Sequence, residues 1–228
     1  MRFSTLLAAG VLIAGPALGA LAMAQGAAPT PAAPAANANS QQPSDIVQAS
    51  AQGILKDLDA NREMYRKDPS KVSALVDKYL LPNFDSEYAA RLVLAKYWRT
   101  ATEDQRKRFI DAFYKSLLSN YGTALAEFTS DRLKVFPTNV SPSDDHATVR
   151  TEVKRDNGDR IAVNYELRKE PTGWKAYDVN IDGISYVKSY REDFGAQIDQ
   201  KGIESVITRL QKGEKPDSIK KTTDKTSS

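Results

Sequence analysis

Between Leu133 and Ile181 the apolar residues recur at every second position; on either side they recur at every third or fourth. A period of two belongs to a strand with one buried face and a period near 3.6 to an amphipathic helix, so a block of strands must fold between two blocks of helix. Val149, Thr151 and Val153 share one face of the first clear strand, with charged residues on the other. Asn157-Gly158 is a hairpin signal, and it leads into Ile161, Val163, Tyr165 and Leu167 alternating with Ala162, Asn164, Glu166 and Arg168. Pro171-Thr172-Gly173 turns the chain into a strand from Trp174 to Ile181, which Asp182-Gly183 closes; Leu133 to Phe136 can add one more. Short strands joined by tight turns make an antiparallel meander, and its one apolar face needs a cover of helices. The expected class is α+β, with helices packed on one face of a curved antiparallel sheet of about four strands.

The helical blocks are punctuated in the same way. Ser44-Asp45 after Pro43 starts a helix carrying Ile46, Val47, Ile54, Leu55 and Leu58. A second begins near Pro69-Ser70, carries Val72, Leu75, Val76, Tyr79 and Leu80, and stops before Pro82. Ser86 caps a third through Leu92, Val93, Tyr97 and Trp98, and Thr102-Glu103-Asp104-Gln105 has capping-box form, opening a long helix to about Phe128. On that helix Phe109, Phe113, Leu117, Tyr121 and Leu125 repeat every four residues, so the row winds around the axis; with Ile110, Leu118 and Phe128 it is broader than one sheet contact requires. After the strands, Val187, Tyr190, Phe194 and Ile198 form a helix that Gly202 ends, before a last one with Ile203, Val206, Ile207 and Leu210.

At the ends the pattern dissolves. Arg2, the apolar run Leu6 to Leu18 and Ala22-Met23-Ala24 before Gln25 have the form of an export signal over residues 1–24, which predicts a soluble periplasmic protein in a Gram-negative host. Residues 25–43, rich in Ala and Pro without charge, read as a disordered spacer, and residues 213–228, rich in Lys and Thr, as a loose tail. Residues 44–212 remain as one folded domain.

Composition removes much chemistry. There is no cysteine, hence no disulfide, thiolate metal site or cysteine nucleophile, and His146 is the single histidine. Lys+Arg 32 against Asp+Glu 29 leaves a net charge of +3, too mild to indicate nucleic acid. Asp144-Asp145-His146 reads as a solvated turn rather than a metal site, and no G-x-S-x-G, G-x-G-x-x-G or P-loop is present. No cofactor is expected. Helices on a curved sheet also describe cone-shaped isomerases and dehydratases, for which Asp178 and Tyr177 are the candidate acid–base groups; Asp178 should alternate outward if Tyr177 and Val179 face in. An adaptor with a solidly filled aromatic core is a further alternative.

Two separated segments are more specific. Leu94-Ala95-Lys96-Tyr97-Trp98-Arg99-Thr100-Ala101-Thr102, continuing through Gln105-Arg106 and Phe109 to Phe113, resembles the MlaC family of periplasmic phospholipid-binding proteins, also called the toluene-tolerance auxiliary component. Gly173 to Ser185, running on to Tyr190-Arg191 and Lys201-Gly202-Ile203, is similar to that family's other hallmark. The resemblance spans residues 44–212; the spacer and tail depart from it. It implies a non-enzymatic carrier holding a glycerophospholipid by its acyl chains in an interior cavity, headgroup near solvent. Its implied partners are an outer-membrane lipoprotein–porin complex and an inner-membrane ABC transporter with MCE domains, and its implied task is maintaining outer-membrane lipid asymmetry. The family's tail-binding wall puts Val179, Ile181 and Ile184 in play.

Physical chemistry adds a size requirement. Burying a methylene is worth about 0.8 kcal/mol, so a 16-carbon chain carries about 11 kcal/mol, and a carrier has to enclose both chains. The expected sheet wall is Val149, Val163, Tyr165, Tyr177, Val179, Ile181 and Ile184, and the expected helical wall is Leu75, Val76, Tyr79, Leu80, Phe113, Leu117 and Tyr121. The expected state is a monomer.

Overall fold

The computed structural model describes residues 41–68, 70–125, 132–155 and 157–214, without the side chains of residues 66 and 118–125. The expected export signal, most of the spacer, nearly all of the tail, and Phe128 lie outside the described residues, as do the side chains of Leu118, Tyr121 and Leu125.

Helix α1 runs Pro43–Lys67. Proline at its first turn loses no hydrogen bond, and the Gln42 N–H donates to the Asp45 carboxylate at 3.2 Å. Near its end Asn61 leaves helical geometry (φ −127°, ψ 25°). Its side-chain amide donates to the Asp57 carbonyl at 3.1 Å and the Asp57 carboxylate at 2.9 Å, competing with the helix for its own backbone. Helix α2 covers Lys71–Tyr79 and ends ahead of a 3₁₀ turn, Leu81–Asn83, that contains Pro82. Helix α3, Ser86–Leu94, is shorter than expected: Ala95 takes φ 47° and the motif residues Ala95–Trp98 form a separate 3₁₀ turn. Helix α4 covers Glu103–Leu125, and its capping box forms as the sequence predicts, with the Gln105 N–H donating to Thr102 Oγ1 at 3.2 Å and the Thr102 N–H to Gln105 Oε1 at 3.0 Å.

The sheet is an antiparallel meander of strands β1 Leu133–Val135, β2 His146–Lys154, β3 Arg160–Glu170, β4 Gly173–Ile181 and β5 Ile184–Ser185, in that spatial order. The fifth strand exists because Asp182 (φ 49°) and Gly183 (φ 84°) form a two-residue turn with both central residues left-handed, which folds Ile184 back beside Ile181. Helices α5, Tyr186–Lys201, and α6, Ile203–Gln211, complete the chain, with Gly202 (φ 75°) between them.

Residues paired across neighbouring strands share a face. Val149 pairs with Tyr165 and Tyr165 with Val179; Thr151 pairs with Val163 and Val163 with Ile181; Ile181 pairs with Ile184. One apolar face therefore runs across four strands, and the N-terminal half of α1 lies on it through Ile46 and Val47, packed with Val149, Leu167, Trp174 and Ala176. The register slips between Glu166 and Leu167, leaving Tyr177 as the extra residue of a bulge. Simple alternation through β4 thus fails at Tyr177. Its ring stands edge-on to Tyr88 at 5.1 Å and to His146 at 6.1 Å, on the opposite face.

A second core is helical. Phe109 and Phe113 of α4 stack at 5.8 Å, Phe194 meets Phe109 and Tyr190 meets Phe113 edge-on, and α3, α5 and α6 close around them. A third, smaller cluster joins Ile54, Leu58 and Tyr65 of α1 to Val72, Leu75 and Val76 of α2.

Candidate functional site: an apolar cleft between helix and sheet

An apolar space that the fold leaves unfilled lies between α1 and the apolar face of the sheet. Ile46, Val47, Ile54, Leu55 and Leu58 form one wall, and Leu133, Val153, Tyr165, Leu167 and Ala176 the other, with Leu80 at the side. Ser50, Ala51, Asn83 and Arg132 complete the lining. The cleft has a volume of about 110 Å³ and opens to solvent at its mouth.

The reason for the gap is visible in α1. Ile46, Val47, Ser50, Ala51, Ile54, Leu55 and Leu58 form one helical stripe, spaced to face the sheet at every turn. Two of those positions, Ser50 and Ala51, are small and leave space beside the sheet between Ile46 and Val47, which pack on it, and Ile54 and Leu58, which pack on α2. Ala176 is a small residue on the sheet side.

Of the residues expected on the wall, Tyr165 and Leu80 line this cleft. Val149 is fully buried beneath Ile46 and Val47. Val163, Val179, Ile181 and Ile184 occupy the same sheet face, partly exposed, and continue it as an apolar strip outside the cleft lining. Tyr177 does not belong to this face, for the bulge turns it away. Leu75 and Val76 are buried between α2 and α1, Tyr79 packs on the same cluster, and Phe113 and Leu117 belong to the helical core; none of these five lines the cleft. The Tyr121 side chain lies outside the described residues. The α1 stripe went unassigned to the site because large apolar residues at helical spacing signal only a buried face; the pair of small residues inside it was the signal for a gap.

The cleft is poor in groups for catalysis. Asp178, one candidate acid, faces away from it: its carboxylate accepts from the Val187 N–H at 3.0 Å and the Val179 N–H at 2.8 Å, and from the Ser185 hydroxyl. These bonds fix the start of α5, whose N-cap is Ser185. Asp144 and Asp145 are exposed in the turn before β2 and His146 is exposed at its first position; Asp144 accepts from the Ser141 N–H at 2.7 Å and Asp145 pairs with the His146 ring at 2.9 Å. Among the described residues no cluster of three or more His, Asp or Glu could hold a metal, and no helix is long and apolar enough to cross a membrane.

A meander sheet with a helix standing off its apolar face defines an α+β binding protein with an interior apolar cleft. The family profile described as MlaC protein matches residues 48–212, and the chain belongs to the MlaC family. It is 31% identical over 163 residues to the toluene tolerance protein ttg2D of Pseudomonas putida, covering 71% of this chain and 75% of that protein. It is 24% identical over 169 residues to the intermembrane phospholipid transport system binding protein MlaC of Haemophilus influenzae, covering 73% and 79%. Its fold is similar to that of a phospholipid-binding protein from Ralstonia solanacearum, solved in complex with a phospholipid. The TM-score is 0.70 at 25% identity, over 76% of this chain and 97% of that one.

Proposed function

We propose that the protein is a periplasmic carrier of glycerophospholipid, holding the acyl chains against the apolar sheet face beneath α1 and leaving the headgroup in water. The observation that carries this reading is the cleft itself: an almost wholly apolar space, held open by Ser50 and Ala51 on α1, in a member of a family with a phospholipid-bound relative. Val163, Val179, Ile181 and Ile184, partly buried on the same face, extend the wall in the direction a second chain would need. Two 16-carbon chains bring about 22 kcal/mol of burial, enough to compete with a bilayer only if both are covered along most of their length. Pockets that do this lie toward the upper end of the usual 300–1,000 Å³, so loading requires α1 to stand further from the sheet than it does here.

The partners that suit such a carrier are the two membrane complexes between which lipid has to cross: an outer-membrane lipoprotein–porin complex and an inner-membrane ABC transporter with MCE domains. The task is then maintenance of outer-membrane lipid asymmetry. A monomer with no cofactor, binding without catalysis, is sufficient. The export signal over residues 1–24 would deliver it to the periplasm.

A charge on the strip tests the reading. Val179→Lys or Ile181→Lys places an ammonium against the proposed acyl path, where it has to be dehydrated or the lipid left out. Each folded variant is expected to extract at least tenfold less phospholipid from vesicles than the unaltered protein. Undiminished extraction by both would show that the tails lie elsewhere.

A further inference from the structure

Tyr165 is unusual among the residues that line the cleft. Its ring rises from the middle of β3 into the space beneath α1, and its hydroxyl has no hydrogen-bond partner among the described residues. Leu133, Val153 and Leu167 on that wall carry no polar atom, and the one charged residue of the lining, Arg132, already has an interaction of its own. Across the cleft, Ser50 of α1 and Asn83 of the 3₁₀ turn are already engaged with each other, the Asn83 amide donating to Ser50 Oγ at 2.9 Å and to the Tyr79 carbonyl at 3.3 Å. Burial alone pushes the Tyr165 phenol above its ordinary pKa of 10, so it stays a neutral O–H donor at any physiological pH.

A donor in that position has a consequence for what can bind. A plain methylene chain laid over the phenol would strip its water and leave the O–H unpaired, which is unfavourable in an apolar space. A ligand that puts an oxygen acceptor there while its hydrocarbon lies on the flanking apolar residues meets both demands. A phospholipid has one kind of acceptor that enters a cavity with its tails, the acyl carbonyl, which sits between the hydrated headgroup and the first methylenes.

We propose that the Tyr165 hydroxyl donates a hydrogen bond to an acyl carbonyl oxygen of the bound lipid, making the cleft selective for acyl lipids over alkyl ones and fixing how deep the chains enter. This deepens the carrier reading and rests on it. The same chemistry could come from a diacyl glycerophospholipid or from a free fatty acid, and the experiment separates them.

The test is a competition. Delipidated protein is incubated with vesicles containing equal amounts of dipalmitoyl phosphatidylethanolamine and its di-O-hexadecyl analogue, re-isolated, and its lipid quantified by mass spectrometry; a parallel incubation adds palmitic acid. A single neutral hydrogen bond corresponds to about a three- to tenfold preference for the diester, and in Tyr165→Phe the ratio falls to about one. A ratio near one in the unaltered protein overturns the inference without any variant being needed. A preference that survives in Tyr165→Phe, shown folded by its thermal transition, overturns it as well, since another group then holds the carbonyl. Displacement of the diester by an equimolar amount of palmitic acid would overturn the diacyl source and leave the carbonyl contact assigned to a fatty acid. Recovery of none of the three lipids would instead contradict the carrier reading itself.

Discussion

Asp178 sits 8% exposed at the junction of β4 and α5, and the backbone N–H groups of Val179 and Val187 both end on its carboxylate. Removing the side chain leaves the buried Val187 N–H without a partner, which costs about 1–3 kcal/mol. Asp178→Ala is therefore expected to lower the unfolding free energy by that amount, read as a downward shift of the urea midpoint, while the folded fraction still takes up lipid. Loss of function without loss of stability would point back to an acid–base role. Asp57 offers a pH test at the same scale. Burial alone would raise its pKa, but hydrogen bonds from Tyr65 and Asn61 and the Lys78 ammonium outweigh that and hold it below the ordinary 3.8. A carboxylate with a depressed folded pKa contributes stability above its unfolded pKa and loses it as pH falls through the folded value. The gap in stability between the unaltered protein and Asp57→Asn should thus be open at pH 7 and close as the pH drops below about 4. A gap independent of pH would mean that the packing of α1 on α2, not the charge, is what Asp57 supplies.

At the level of elements, the spacing of α1 from the sheet is set by which positions of one helical stripe are small. Ala51→Leu fills the gap with hydrocarbon, which is expected to leave the thermal midpoint unchanged or raised by a few degrees and to cut lipid uptake at least tenfold. Unchanged uptake would mean that the lipid does not pass between α1 and the sheet. Gly53 marks the opposite constraint on the same helix. A Cβ there would stand 2.4 Å from the Tyr79 ring, so Gly53→Ala should lower stability despite the better helix propensity of alanine. The strands were legible in the sequence because Val149, Val163 and Tyr165 obey period two and because Asn157-Gly158 and Asp182-Gly183 can only turn. The Tyr177 bulge was not, since one extra residue in β4 is invisible to a pattern that assumes unbroken pairing. The early end of α3 was missed for a similar reason: Ala95 takes φ 47° with no glycine to announce it. Residues of α1 looked like ordinary core, because periodicity reports that a face is buried and not what buries it.

For the molecule as a whole, two motifs and a change of period were enough to reach the family and the fold class, while the site emerged only when α1 was seen against the sheet. The helical core of α3 to α6 holds the aromatic residues that a tight fold needs, so Phe109, Phe113, Tyr190 and Phe194 explain themselves without a ligand. What lacks such an explanation is the cleft under α1 and the partly buried strip that continues it. The most direct measurement is native mass spectrometry of the protein purified without detergent, paired with extraction of the same sample into organic solvent. The account predicts a chain carrying diacyl glycerophospholipid, released in the extract; a uniformly ligand-free mass with an empty extract would contradict it.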